Sequence, residues 1–459
     1  MTVALNSQAR AWTHQQRPAK PQGYPVVGLL PKIRANPLGF LVETALEFGD
    51  AVELDLGLDS VLMLNRPDYI KHVAQDNYRN YHKSKFYAPL KPILGDGLFL
   101  AEGDFWIAQR QTAAKAFQGA ELRRMVGDMA SATGDMLARW RERARIGAPI
   151  DVCTEMSQLT LDIALRALFN VRLGDRQHHV YNALTVLLRD AEKRVWSPIG
   201  MPKWIPTPGN RECVRALKAL DDFVFEIIEE RKSSGERPND LLQILIDAYD
   251  DPTQLGVPAN LLRDQVLSMI LAGHETSANA LAWAWYLLSK HPDVARAASA
   301  EVATVLEGRP PQFEDLMRLK TVKMVFDETI RLYPPVWTLS RTAQEDDRIG
   351  EMNVKKGTNV MLCAFAVHRR PEYWPNPEGF DPDRFDPKYG PARRYAYFPF
   401  GAGARSCLGE RFGTFESIVI LTMVLQSFRL SLVPGQTIEP EPMITLRPRG
   451  SVLMSLASA

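Results

Sequence analysis

The chain has 459 residues, 46% of them hydrophobic, and a formal net charge of +1. That length allows a large core, and the near-neutral balance argues against a chain built as a whole for nucleic acid. The four cysteines, Cys153, Cys213, Cys363 and Cys407, show no Cys-x-x-Cys spacing, so neither a zinc site nor a disulfide framework is indicated, and a reducing compartment fits. Residues 1–20 are polar and lack an apolar core, which predicts a flexible arm and neither a signal peptide nor a membrane anchor. The apolar stretches fall short of a bilayer span, the longest being broken by His274 and Glu275. No linker, low-complexity tract or internal repeat divides the chain, so one domain over 1–459 is expected.

Pro18 to Pro31 is rich in Pro and Gly and reads as an irregular arm entering the fold. Alternating Val52, Leu54 and Leu56, the turn Gly57-Leu58-Asp59 and the run Ser60–Leu64 predict a hairpin. After a loop-like stretch over 84–100, a helix opens near Asp104. Trp106 and Arg110, four apart, share one of its faces; alone they are equally readable as a surface stacking pair. From Pro149 to Asp247 the pattern is mostly helical. It is interrupted at Trp196–Gly209, where four prolines stop any helix and two Trp, two Ile and a Met make an apolar loop or lid.

Pro258 to Lys290 reads as one long core helix. In its middle sits Ala272-Gly273-His274-Glu275-Thr276. Glycine there costs about 1 kcal/mol relative to alanine, and such a defect often marks a functional bulge. Met269, Gly273, Thr276 and Ala280 fall on one face; the plain alternative is that Thr276 packs locally. A helix starts at Pro292, and another, near Met317–Leu332, carries Glu328 and Arg331 at i,i+3, alone an ordinary surface pair. Val336–Arg341 and Val360–Ala364 read as strands, and a last strand pair surrounds Pro448-Arg449-Gly450. Finally, Phe400-Gly-Ala-Gly-Ala-Arg-Ser-Cys407-Leu-Gly409 precedes an apolar helical run over Phe412–Phe428. A helix N-terminus beside Cys407 favours a thiolate, and Gly401, Gly403 and Gly409 remove side chains where something flat could approach.

That ten-residue stretch resembles the haem-binding loop of the cytochrome P-450 family at Phe400, Gly401, Gly403, Arg405, Cys407 and Gly409. Further segments, in family order over roughly 20–456, match it. The resemblance implies a mainly α fold with minor β-sheet, a single large domain with haem between the long helix and the cysteine loop, and the soluble bacterial type. Cys407 is then the axial ligand of haem b iron. Trp106, Arg110, Arg341 and Arg405 hold the propionates, and Phe400, Gly401, Gly409, Ala272 and Gly273 border the haem. Gly273 makes room for dioxygen, Thr276 holds a water or donates to the bound oxygen, and Glu275 supplies protons. Glu328, Arg331 and the later Arg384 form a charge cluster bracing the cysteine loop; Asp383 stands where Glu is more usual. Met269, Ala272, Thr276, Val336, Trp337 and Leu339 line the substrate pocket, with Trp337 either narrowing it or facing away.

The function so implied is a cytoplasmic, monomeric monooxygenase. It inserts one atom of O2 into a small apolar compound, with electrons from a separate ferredoxin or flavodoxin and its reductase. Around the cysteine, Arg393, Arg394, Arg405 and Arg411 stand against one acid, Glu410, and Arg123 and Arg124 could extend this basic patch toward an acidic donor. A peroxide-driven haem-thiolate enzyme and a non-catalytic haem ligand-binding protein are the alternatives. Having both Glu275 and Thr276 favours dioxygen use.

Overall fold

The computed structural model describes residues 17–172, 174–195, 204–250, 258, 260–389 and 394–459. Most of the 1–20 arm, the first part of the Trp196–Gly209 segment, and Arg393 lie outside those residues.

The predicted hairpin forms: Ala51–Asp55 pairs antiparallel with Ser60–Leu64, Ala51 opposite Leu64. Its second strand then runs parallel to Asn359–Leu362, which pairs with Leu339–Ala343, which in turn holds the edge strand Tyr81–Lys83. This five-stranded sheet brings Lys83 opposite Arg341 across almost the whole sequence between them. The strand after Pro335 therefore starts at Leu339, not Val336: residues 334–338 form its approach.

Helices make up the rest of the core. The long helix is Leu261–Lys290, and residues 261–270 are all buried, as are its two tryptophans, Trp283 and Trp285. It packs along the helix Val152–Phe169. That helix is capped by the Asp151 carboxylate, which accepts from the Cys153 amide, and it ends at Asn170 in a left-handed conformation. The helix after the cysteine spans Glu410–Ser427 and is buried from Glu416 to Leu425 between Gly119–Arg145 and Pro292–Leu306. At Phe428 the chain leaves that helix for a strand, Phe428–Leu432, paired with Leu453–Ser458. The late hairpin is Pro440–Pro442 with Leu446–Pro448, its turn at residues 443–445.

The helix Lys320–Leu332 carries Glu328 and Arg331 of the expected charge cluster, both fully buried. Arg331 donates from Nε to Glu328 Oε2 at 2.6 Å and from Nη2 to Oε1 at 2.8 Å; Arg384 Nε donates to the same Oε1 at 3.0 Å. The remaining Arg331 N–H groups go to the carbonyls of His368, Pro377 and Gly379. His368 carries the cluster to the cysteine loop. Its Nδ1 faces the Arg331 carbonyl at 3.1 Å and its Nε2 accepts from the Phe398 amide at 3.0 Å, which fixes the proton on Nδ1. Burial drives the pKa of this imidazole down to about 3, so it stays a neutral linker at every working pH.

Candidate active site

Cys407 stands at the end of a turn closed by its own amide, which donates to the Phe400 carbonyl at 2.8 Å. Two glycines shape that turn for different reasons. Gly401 has φ +75°, which disfavours a side chain; at Gly403 a Cβ would run into the backbone carbonyl of Ala74. The cysteine loop thus seats directly on the one-turn π-helix His72–Asp76. Gly409 faces the sulfur: a Cβ there would lie 3.9 Å from Cys407 Sγ.

The expected thiolate is not what the chain produces by itself. The Gly409 amide and Arg110 favour the anion, but burial outweighs both and pushes the Cys407 thiol up to about 11. Cys407 nevertheless keeps accessible surface, unlike Cys363. A desolvated sulfur on a residue that keeps accessible surface is suited to meeting a bound group. Only a directly bound cation would hold the thiolate there.

A second accessible face lies on the long helix. Ala272 is exposed, and Thr276, one turn on, is partly exposed, although the helix before them is wholly buried. Thr276 Oγ1 donates back to the Ala272 carbonyl at 2.8 Å. A Cβ at Gly273 would meet Ala164 at 3.5 Å and Leu168 at 3.8 Å, ordinary contacts, so packing against Val152–Phe169 does not itself require glycine there. The small methyl of Ala272 leaves room on the accessible face. Glu275 is desolvated, which raises its pKa; a hydrogen bond from Thr445 Oγ1 to Oε1 at 2.9 Å and the charge of Arg447 oppose that rise. His274 points the other way, its Nε2 2.8 Å from Ser157 Oγ, while Thr160 donates to its carbonyl.

The third feature is a knot of cations. Arg405 stacks on the Trp106 ring, 4.1 Å from its centroid, and Arg110 lies 5.8 Å from the same ring. Arg405 also donates to the Ala101 carbonyl at 3.0 Å and pairs with Glu102, yet its Nε is buried with no partner. Arg341 and Lys83 join from the sheet edge. Crowding and burial lower Arg405 to about 10 and Lys83 to about 7. Four basic side chains therefore converge with Glu102 as the carboxylate among them. Lys83 and Glu102 escape sequence reading, because a lysine in a three-residue edge strand and a lone glutamate carry no local signal.

Val336 and Leu339 retain partial exposure, and Leu339 Cδ1 would lie 3.8 Å from a Cβ at Gly401. Met269 is 8% exposed. Trp337, expected in the pocket or turned away, is turned away. Only 5% exposed, it packs with Leu29 and Leu446, and its indole N–H donates to the Met443 carbonyl at 2.8 Å. Phe400 packs on the main core.

These residues fit an iron porphyrin. Cys407 keeps accessible surface although its thiol is desolvated, and the unpaired Arg405 Nε and surplus of cations suit carboxylates such as propionates. No helix among the described residues is long and apolar enough to cross a membrane.

Comparison with known proteins agrees with that fit. A family model described as Cytochrome P450 matches residues 18–454. The chain is 33% identical to "Cyclooctatin synthase" of Streptomyces melanosporofaciens, over 97% of this chain and 96% of that protein. It is 32% identical to "Cyclooctat-9-en-7-ol 5-monooxygenase" of the same organism, over 94% and 92% of the two chains. A third relative is "Pentalenene oxygenase" of Streptomyces avermitilis, 29% identical over 93% and 94%.

Proposed function

Because the chain belongs to the cytochrome P450 family, we propose that it inserts one oxygen atom from dioxygen into an apolar terpenoid, with electrons from a separate ferredoxin or flavodoxin. It is an oxidoreductase of the monooxygenase kind, and the family implies a haem-thiolate cofactor, O2 use and a redox partner. The terpenoid substrate is suggested by the relatives' names, joined to a pocket face of Met269, Ala272, Val336 and Leu339. The cofactor is haem b, and the working compartment is the cytoplasm.

The observation that carries this reading is the accessible yet desolvated Cys407 beside a knot of under-neutralised cations. Cys407 would hold the iron, and Arg110, Arg341, Arg405 and Trp106, with Lys83, would hold the propionates. When bound, the haem supplies activation of dioxygen, and the thiolate favours O–O cleavage. The protein's own part is orientation and proton handling. Ala272 leaves space above the site, Thr276 offers a hydroxyl into it, and Glu275, kept protonatable by burial, supplies protons. The basic groups near the cysteine, Arg394 and Arg411 among them, would steer an acidic donor.

The expected result for reduced, carbon monoxide-treated protein is the red-shifted Soret band of thiolate ligation, lost in Cys407→Ser. Retention of that band in Cys407→Ser would end the assignment. Screening terpene hydrocarbons and their alcohols for a shift in the resting haem spectrum tests the substrate class, and no response across them would remove it.

A further inference from the structure

The late hairpin contributes a group to the site that no family resemblance assigned. Its turn, residues 443–445, is held from several directions: Trp337 Nε1 donates to the Met443 carbonyl, the Leu446 amide donates to the Pro335 carbonyl at 2.8 Å, and Trp283 Nε1 donates to the Leu446 carbonyl at 3.3 Å. Of those bonds only the one from Trp283 comes from the long helix, and the Thr445 hydroxyl adds two more to that helix. The hydroxyl accepts from Asn279 Nδ2 at 2.9 Å and donates to Glu275 Oε1 at 2.9 Å. Thr445 is 5% exposed. Two residues on, Arg447 pairs with Glu441 at 2.9 Å, and those side chains keep 34% and 28% of their surface open. Within one hairpin, Thr445 thus bonds Glu275 directly while the partly open Arg447 acts on it by its charge.

We propose that Glu275 is loaded with protons from this hairpin, Thr445 passing the proton inward and the Arg447–Glu441 pair forming the outer mouth. The proposal rests on the reading of Glu275 as the proton donor and adds where its protons come from. In the step, the Thr445 O–H bond breaks as its proton goes to the Glu275 carboxylate. A new O–H bond forms on Thr445 with a proton taken from a solvent hydronium ion entering by the mouth, which leaves as water. One proton moves from solvent to Glu275, and no electrons change hands. The charged group acting on Glu275 is Arg447. The neighbouring helix Val152–Phe169 presents Ser157 and Thr160, both engaged by His274 rather than by the acid. Thr445 is a positioning and relay residue, since it acts through Glu275.

The test uses haem-loaded wild type, Glu275→Gln, Thr445→Val and Thr445→Ser. The first readout is the infrared band of the protonated Glu275 carboxyl in the resting enzyme, assigned by its absence in Glu275→Gln. Thr445→Val removes a donor to the carboxylate, so the band should persist to higher pH by about one unit, and Thr445→Ser should restore the wild-type titration. The second readout is the share of electrons released as hydrogen peroxide rather than water, with reduced plant-type ferredoxin as donor, no organic substrate and pH above neutral. Glu275→Gln should raise the peroxide share, or slow dioxygen consumption, by about tenfold. Thr445→Val should follow it in direction, and Thr445→Ser should not. An unchanged Glu275→Gln would sink the donor reading itself. A Glu275→Gln effect with an inert Thr445→Val, or with no rescue by Thr445→Ser, would leave that reading standing and overturn only the hairpin route. If Thr445→Val fails to load haem, Arg447→Met replaces it: losing the positive charge should move the infrared titration the same way, and an unmoved titration counts against the route.

Discussion

Two clusters of buried arginine meet the cysteine loop, and they differ in whether their charge is spent. Around Glu328, all five N–H groups of Arg331 have acceptors, Arg384 fills the same carboxylate, and neither Glu328 nor Arg331 has any exposed side chain. Around Trp106, only Arg405 and Lys83 of the four basic side chains pair with Glu102 among the described residues, Arg405 Nε has no partner, and burial lowers Arg405 and Lys83. A buried charge without a partner is expensive, so a fold keeps one where something arrives to meet it. The first cluster is finished architecture; the second is shaped for an anion.

The largest expected effect is on the finished cluster. Glu328→Ala would strand Arg331 without a countercharge in a fully dry site, a loss of about 3–5 kcal/mol. It would also free Arg384 and the Asp381 amide, which donates to Glu328 Oε1 at 2.9 Å. The expected outcome is a sharply lowered melting temperature and little haem-loaded protein. Full haem content at wild-type stability would show that the two clusters are not different in kind.

The comparison also marks what the sequence could tell. Glu328, Arg331 and Arg384 and the stretch around Cys407 were legible because they form recognisable spacings. The long helix and the hairpin were legible from period alone. What was not legible depends on contacts between distant segments. His368 links Arg331 to Phe398, Lys83 meets Arg341 through a sheet edge, and Thr445 reaches Glu275 across 170 positions of chain. At Cys407 the helix N-terminus was foreseeable, whereas the burial that raises the thiol in the haem-free chain is a property of the packed fold.

A smaller effect is expected at the second cluster. Arg341 donates to the Ser340 carbonyl at 2.8 Å and forms no ion pair within the described residues. Arg341→Met should therefore leave the fold and its melting temperature nearly unchanged. One charge-assisted hydrogen bond to a propionate is worth about 1.5–3 kcal/mol, so haem should leave roughly tenfold or more faster, measured by transfer to apomyoglobin. Equal loss of stability and of haem would mean that this cluster, like the first, is structural.

The smallest effect, and the most specific, concerns Lys83 and pH. In the haem-free chain burial lowers its pKa from 10.5 to about 7, helped by the charges of Arg405 and Arg341. Above about pH 7 the folded chain holds Lys83 neutral, while the unfolded chain keeps it protonated up to its ordinary pKa. The unfolded state then binds more protons, so the contribution of Lys83 to stability rises with pH in that window and is least favourable below it. Cys407 works in the opposite sense: its pKa is raised from 9.0 to about 11, so its contribution falls only above about pH 9. Glu416, raised by burial from 4.5 to about 8, also works against the lysine, and its contribution has stopped falling above about that pH, so the interval from about pH 8 to 9 isolates the lysine. Urea unfolding of haem-free protein should show stability rising across that interval, and Lys83→Met should be more stable than wild type at pH 7 with the rise removed. Haem loading should also flatten the rise, because a propionate beside Lys83 keeps it charged in the folded state. A rise that survives in Lys83→Met would assign it to another group, and one that survives haem loading would place the propionates away from Lys83.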